Sequence, residues 1–160
     1  MSQTSPPSYG SSIKPSRKKS KAEQAGHVLG YALNLQAKET CLKECLDALA
    51  QGESQHVVTL NPELIVYARG DSEYKAILEN ADWAIPDGAG IIWALQRQGI
   101  HHVKRLPGIE FSESLIAEAS KRGLKIALIG GEEAINHNAC KALQAKFPEL
   151  NISYAHHGFF

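Results

Sequence analysis

From residue 26 onward the chain alternates between two kinds of apolar pattern. Short runs of aliphatic and β-branched residues read as strands. They are His27–Leu33, His56–Leu60 with Val57-Val58-Thr59 at its centre, Trp83–Pro86, Leu124–Ile129 and Asn151–Ala155. Longer stretches between them carry helical periodicity. In Ala37–Ala50 the spacing of Leu42, Leu46 and Leu49 predicts one helix; Asn61–Ala68 and Ser72–Asn80 read as two more, split by Arg69-Gly70-Asp71. Gly88–Gln98, Ile109–Arg122 and Glu133–Phe147 complete the set. Strands alternating with helices of about 10–15 residues imply βαβ units. The expected fold is therefore α/β, a Rossmann-like parallel sheet with helices on both faces. Because His156-His157-Gly158-Phe159-Phe160 follows a strand and brings two aromatics without a further helix, that sheet is expected to be incomplete at the C-terminus.

Composition changes the picture mainly at the front. Residues 1–25 are rich in Ser, Pro, Lys and Gln and carry five basic side chains (Lys14, Arg17, Lys18, Lys19, Lys21) against Glu23 alone. Such a segment buries too little apolar surface to offset its ordering entropy and reads as a disordered basic tail. It could touch anionic lipid, at about 1 kcal/mol per charge near the surface; a solvated tail is the simpler reading. The tail's net +4 leaves −4 on residues 26–160, because the formal charge of the whole chain is zero. A negative body does not suit a nucleic-acid partner. The three cysteines show no CxxC spacing and read as structural thiols of a reducing compartment. No apolar run reaches the roughly 20 residues of a membrane span, and no apolar stretch follows the basic cluster as in a secretory signal. A cytoplasmic enzyme body is expected.

In open parallel sheets, ligands sit beyond the carboxyl ends of the strands. That rule selects Thr59–Glu63, Pro86–Gly90, Gly130-Gly131-Glu132 and His156-His157-Gly158, with Lys104–Gly108 leading into a helix. Asp87 is an acid at a strand end followed by Gly88 and Gly90, and reads either as a helix N-cap or as a catalytic carboxylate. The two roles compete, because donors to a carboxylate make it a poorer base. Thr59 either presents a hydroxyl or fills a strand position. Asn61 before Pro62 has the form of an N-cap with proline at the first helical position. Gly130-Gly131 could hold a phosphate on backbone N–H groups, yet neither GxGxxG nor a Walker motif is complete. Arg105 is a permanent cation suited to phosphate, or simply solvated. His101-His102 and His156-His157 are neighbours that a strand would point to opposite faces, so they make poor chelates.

Taken in order, these segments resemble one family. Val57-Val58-Thr59-Leu60-Asn61-Pro62-Glu63 and Ala81–Gly90 resemble the TLNPE and PDG signatures of the WecG/TagA/CpsF glycosyltransferases. Lys104-Arg105-Leu106-Pro107-Gly108 is similar to its Arg-x-x-Gly segment, while Leu128–Gly131 and His157–Phe160 match its later glycine-rich positions. The resemblance runs from about Val28 to the last residue. It implies inverting, metal-independent transfer of an N-acetylmannosamine-like N-acetylhexosamine. The donor would be a UDP-sugar and the acceptor a polyprenyl-diphosphate-linked GlcNAc at the membrane surface, in cell-wall or surface-polysaccharide biosynthesis. No cofactor is implied. It places Asp87 on the proposed general base and Thr59, Asn61 and Arg105 on polar active-site positions, with Gly88, Gly130 and Gly131 beside the substrate.

Two positions depart from the family pattern: Lys104 where an acid is frequent, and Glu110 where Asp is common. Members also continue past the glycine-aromatic segment with more sheet, a Gln-Glu-containing segment and often a membrane-contacting appendage. The chain is therefore expected to be the N-terminal part of a glycosyltransferase domain, cut short and weakly active or inactive alone. Homo-oligomers and contact with the inner membrane face fit the same picture. The competing readings are a catalytically silent nucleotide-sugar-binding module and, further off, a dinucleotide-dependent oxidoreductase.

Overall fold

The computed structural model describes residues 25–159. The chain divides into two compact units, one ending at Val103 and the other beginning at Lys104. Apart from Ala25, the expected basic tail lies outside the described residues.

The first unit opens with β1 (Ala25–Val28) and β2 (Tyr31–Asn34), an antiparallel pair. The single strand expected over His27–Leu33 is thus a hairpin. Leu29 and Gly30 turn the chain with φ of 51° and 91°. Positive φ at both turn residues matches the right-handed twist of the flanking strands. Leucine is a rare occupant of that region, which is why the apolar run concealed the turn.

Next, α1 (Lys38–Ala50) buries Cys41, Cys45 and Leu46, whereas Leu49 is exposed. The inward stripe is rotated from the leucine spacing because the thiols occupy it. Burial pushes the Cys41 thiol up to about 11 and the Cys45 thiol up to about 12, with neighbouring carboxylates adding to the effect. Thiolate is the reactive form. In the folded protein at pH 8, Cys41 and Cys45 are therefore expected to resist a disulfide reagent until urea exposes them; rapid modification without unfolding would contradict this. The buried neutral thiols contribute stability that is fully present below pH 9.0 and is lost as pH rises through about 11 to 12.

β3 (Val57–Leu60) pairs in parallel with β4 (Trp83–Pro86), and α2 (Pro62–Ala68) and α3 (Ser72–Glu79) make the crossover. α4 (Ala89–Arg97) follows. The register, Val57 opposite Trp83 through Leu60 opposite Pro86, is pinned at its start by a reciprocal contact. His56 N donates to Asp82 Oδ2 at 2.8 Å, while the Asp82 and Trp83 amides donate to His56 O. Asn34 Oδ1 accepts from Ala84 N at 2.7 Å and ties the end of β2 to β4. Val58 and Leu60 join Leu33, Ile65, Ala84, Ile91 and Leu95 in the core, and every residue of β4 is buried.

The second unit contains α5 (Gly108–Lys121), β5 (Lys125–Ile129), α6 (Glu133–Lys146) and β6 (Asn151–His156). β5 and β6 are parallel, with the register shifted between Ile126 and Ala127. Ser153 is the extra residue, and its Oγ donates to Ile126 O at 3.2 Å. A Lys146–Glu113 ion pair links α6 to α5. The α/β reading holds, with strand–helix–strand connections and parallel pairing in both units. Among the described residues no helix is long and apolar enough to cross a membrane.

Candidate functional site

In the first unit the parallel register brings two expected segments to one rim. Thr59 lies opposite Ile85 and Leu60 opposite Pro86, so Asn61 and Asp87 leave their strands side by side. The Asp87 amide donates to Leu60 O at 2.9 Å and carries the ladder one step past β4. Thr59 is half-buried and alternates with the buried Val58 and Leu60, so its side chain lies on the other face.

Asn61 is the N-cap of α2, with Oδ1 accepting from Leu64 N at 3.0 Å and Pro62 in the first turn. The cap commits Oδ1 but leaves the two Nδ2 protons to donate. The two roles can be separated. Asn61→Ala is expected to cost about 1 kcal/mol of stability through the cap. Asn61→Asp keeps an oxygen at Oδ1 and removes the donor, so it should retain stability while exposing any part Nδ2 plays in binding a ligand. A full-length Asn61→Asp protein with unchanged KM would assign Asn61 to the cap alone.

The cap reading of Asp87 is corrected: the N-cap position of α4 is Gly88, with φ 90° and ψ 145°. Asp87 stands one residue before it. Glycine takes that left-handed φ without the penalty of a side chain. The glycines also let two loops meet. A Cβ on Gly88 would lie 3.3 Å from Pro62 Cδ, and one on Gly90 would lie 2.9 Å from Pro62 Cγ. The space beside the two glycines is filled, in part, by Pro62, the first residue of α2. Pro62 is the residue that sequence reasoning passed over here; only its adjacency to Asn61 hinted at it.

In the second unit, Gly130 (φ 129°) and Gly131 (φ 71°) turn the chain from β5 to α6. The Gly130 amide donates to His156 O at 3.0 Å and Gly158 N donates to Gly131 O at 2.9 Å. The Gly130-Gly131 and His156–Gly158 segments therefore form one rim. α6 has no side-chain cap, and Glu132 and Glu133 stand at its start. Their negative charge suits the positive end of the helix and disfavours a second anion there. His156 and His157 were expected to point apart, but His157 lies past the end of β6 and the ring centroids are 4.1 Å apart. The Phe159 amide donates to His157 Nδ1 at 3.1 Å, which places that ring's proton on Nε2 when neutral. Arg105 is exposed on the segment before α5. Among the described residues no three His, Cys, Asp or Glu side chains gather as a metal-ligand set. A groove of about 540 Å³, lined by residues including Tyr31, Ile65, Arg69 and Lys75, lies on the first unit and includes none of Thr59, Asn61 or Asp87.

Known proteins give a consistent picture. Three N-acetylglucosaminyldiphosphoundecaprenol N-acetyl-beta-D-mannosaminyltransferases, from Staphylococcus aureus strains MRSA252, NCTC 8325 / PS 47 and COL, are each 34% identical over 101 residues. The matched region is 63% of this chain and 39% of each relative, so the chain spans about two-fifths of the length of the curated relatives it matches. The model of the glycosyl transferase WecG/TagA/CpsF family matches residues 26–160, through both units and across every segment of the two rims. The chain belongs to the WecG/TagA/CpsF family of glycosyl transferases.

Proposed function

We propose that this chain is the donor- and base-bearing part of an inverting transferase. The enzyme moves an N-acetylhexosamine of the N-acetylmannosamine type from a UDP-sugar to a polyprenyl-diphosphate-linked GlcNAc, in cell-wall or surface-polysaccharide assembly. The observation that carries the reading is the shared rim of β3 and β4, where Asp87 and the Thr59–Asn61 segment leave adjacent parallel strands. The relatives' names describe mannosaminyl transfer onto a diphosphoundecaprenol-linked acceptor, which supports the same substrate classes.

Inversion is a single displacement, and the chemistry it requires is modest. Asp87 takes the proton from the acceptor hydroxyl as that oxygen attacks the anomeric carbon and the bond to the diphosphate breaks. Thr59 Oγ and Asn61 Nδ2 position sugar hydroxyls or the N-acetyl group, and Gly88 keeps the chain beside Asp87 narrow. Arg105 suits the diphosphate better than the Gly130-Gly131 turn does, because Glu132 and Glu133 oppose a second negative charge at that turn. Gly130 and Gly131 are then assigned to the uncharged part of the nucleotide. The acceptor calls for work at the inner face of the membrane.

The test is transfer of radiolabelled sugar by the full-length protein, from several UDP-N-acetylhexosamines to a polyprenyl-diphosphate GlcNAc, with and without EDTA. Transfer that survives chelation is the expected result. Absence of transfer from every donor defeats the reading, and loss of transfer on chelation defeats its metal-free form.

A further inference from the structure

We propose that Asn136 is a positioning residue for the nucleotide-contacting rim of the second unit, holding the Gly130-Gly131 turn from inside α6. The inference rests on the transferase reading above. Asn136 is 7% exposed, a carboxamide sunk in a helix whose other side chains are exposed or only half-buried. Its Nδ2 lies 3.3 Å from Leu128 O, 3.0 Å from Gly130 O and 3.0 Å from His156 O. Two protons are shared among three carbonyls, one of which, His156 O, also accepts from the Gly130 amide. On its other side, Oδ1 faces Cys140 Sγ at 3.8 Å.

Those three carbonyls belong to the ends of β5 and β6, and both rim loops hang from them. The Gly130 amide donates to His156 O, an oxygen that Asn136 also engages, and Gly158 N donates to Gly131 O. The loops have little slack, because a Cβ on Gly158 would come within 3.2 Å of Gly130 Cα. The buried carboxamide thus sets where the Gly131 and Gly158 backbone stands, while lying beneath the surface a substrate would touch. A residue needed only to fill space at position 136 could be alanine or leucine, both better helix formers than asparagine.

The test compares wild-type, Asn136→Asp and Asn136→Gln full-length proteins. Asn136→Asp keeps the shape and replaces the donor with a carboxylate facing the carbonyls; Asn136→Gln restores the donor on a longer arm. Expected is a KM for the UDP-sugar raised about tenfold in Asn136→Asp, as for one lost hydrogen bond's worth of alignment, with kcat within about threefold. Asn136→Gln should recover part of that loss. The backbone amide resonances of Gly131 and Gly158 should move in Asn136→Asp, while those of Gly88 and Gly90 stay. Should Asn136→Asp not fold, Asn136→Ser, which keeps one donor, carries the same measurements. Unchanged KM and unchanged Gly131 and Gly158 resonances overturn the proposal. So does a loss of rate that merely follows the folded fraction. Calorimetry with UDP separates the two readings. If wild-type protein binds no UDP, the transferase reading fails and the glycine resonances alone decide the role of Asn136. If wild-type and Asn136→Asp bind UDP equally, only the role of Asn136 fails.

Discussion

Asp87→Asn in the full-length transferase is expected to lower kcat by about 10²–10⁴-fold, the usual contribution of a positioned general base. The change is nearly isosteric. The hydrogen bond from the residue 87 amide to Leu60 O is a backbone contact and survives the substitution. The N-cap position of α4 is Gly88, one residue beyond the substitution. Melting temperature should change little, because the substitution is nearly isosteric, and KM for the donor should change less than kcat. The measurement is steady-state transfer alongside thermal unfolding. Near wild-type turnover with normal folding would remove Asp87 from the role of base.

The second large effect is on the frame beneath that carboxylate. Ile85 is completely buried in β4, paired with Thr59 and two residues before Asp87. Ile85→Ala is expected to cost about 2–5 kcal/mol, the lost transfer energy of the side chain plus the cavity left behind. Against a typical domain stability of about 5–15 kcal/mol, this is a large fraction. Denaturant titration should show a lower midpoint. Activity should fall even at temperatures where the protein stays folded, because a collapsing β4 shifts residue 87. A midpoint within error of wild type would show that β4 is not packed as described.

How far the sequence disclosed this arrangement can be traced residue by residue. The β3–β4 rim was legible because Val57-Val58-Thr59 is a strong β-branched run and Asn61-Pro62 is a strong helix start. Both signals are local, and the parallel register follows from the alternation of elements. The hairpin was not legible, since its turn uses Leu29 where Asn or Gly is the usual marker. The inward face of α1 was only partly legible: cysteine packs as a small apolar residue, so Cys41 and Cys45 join Leu46 inside while Leu49 is left exposed. Asp87 beside two glycines read either as a cap or as a catalytic carboxylate. Only the backbone angles of Gly88 set the cap one residue further on, and a proline about 25 residues earlier in the chain fills space beside the glycines. Asn136 gave no signal, since a polar residue within a helix ordinarily means a solvated face.

Pro62 abutting Gly88 and Gly90 has a consequence for how this family can vary. The two loops share one volume, so bulk gained at position 90 must be surrendered at position 62. Substitutions at these sites should arise as matched pairs across related chains, and a lone enlargement should be purged even where the carboxylate itself is untouched.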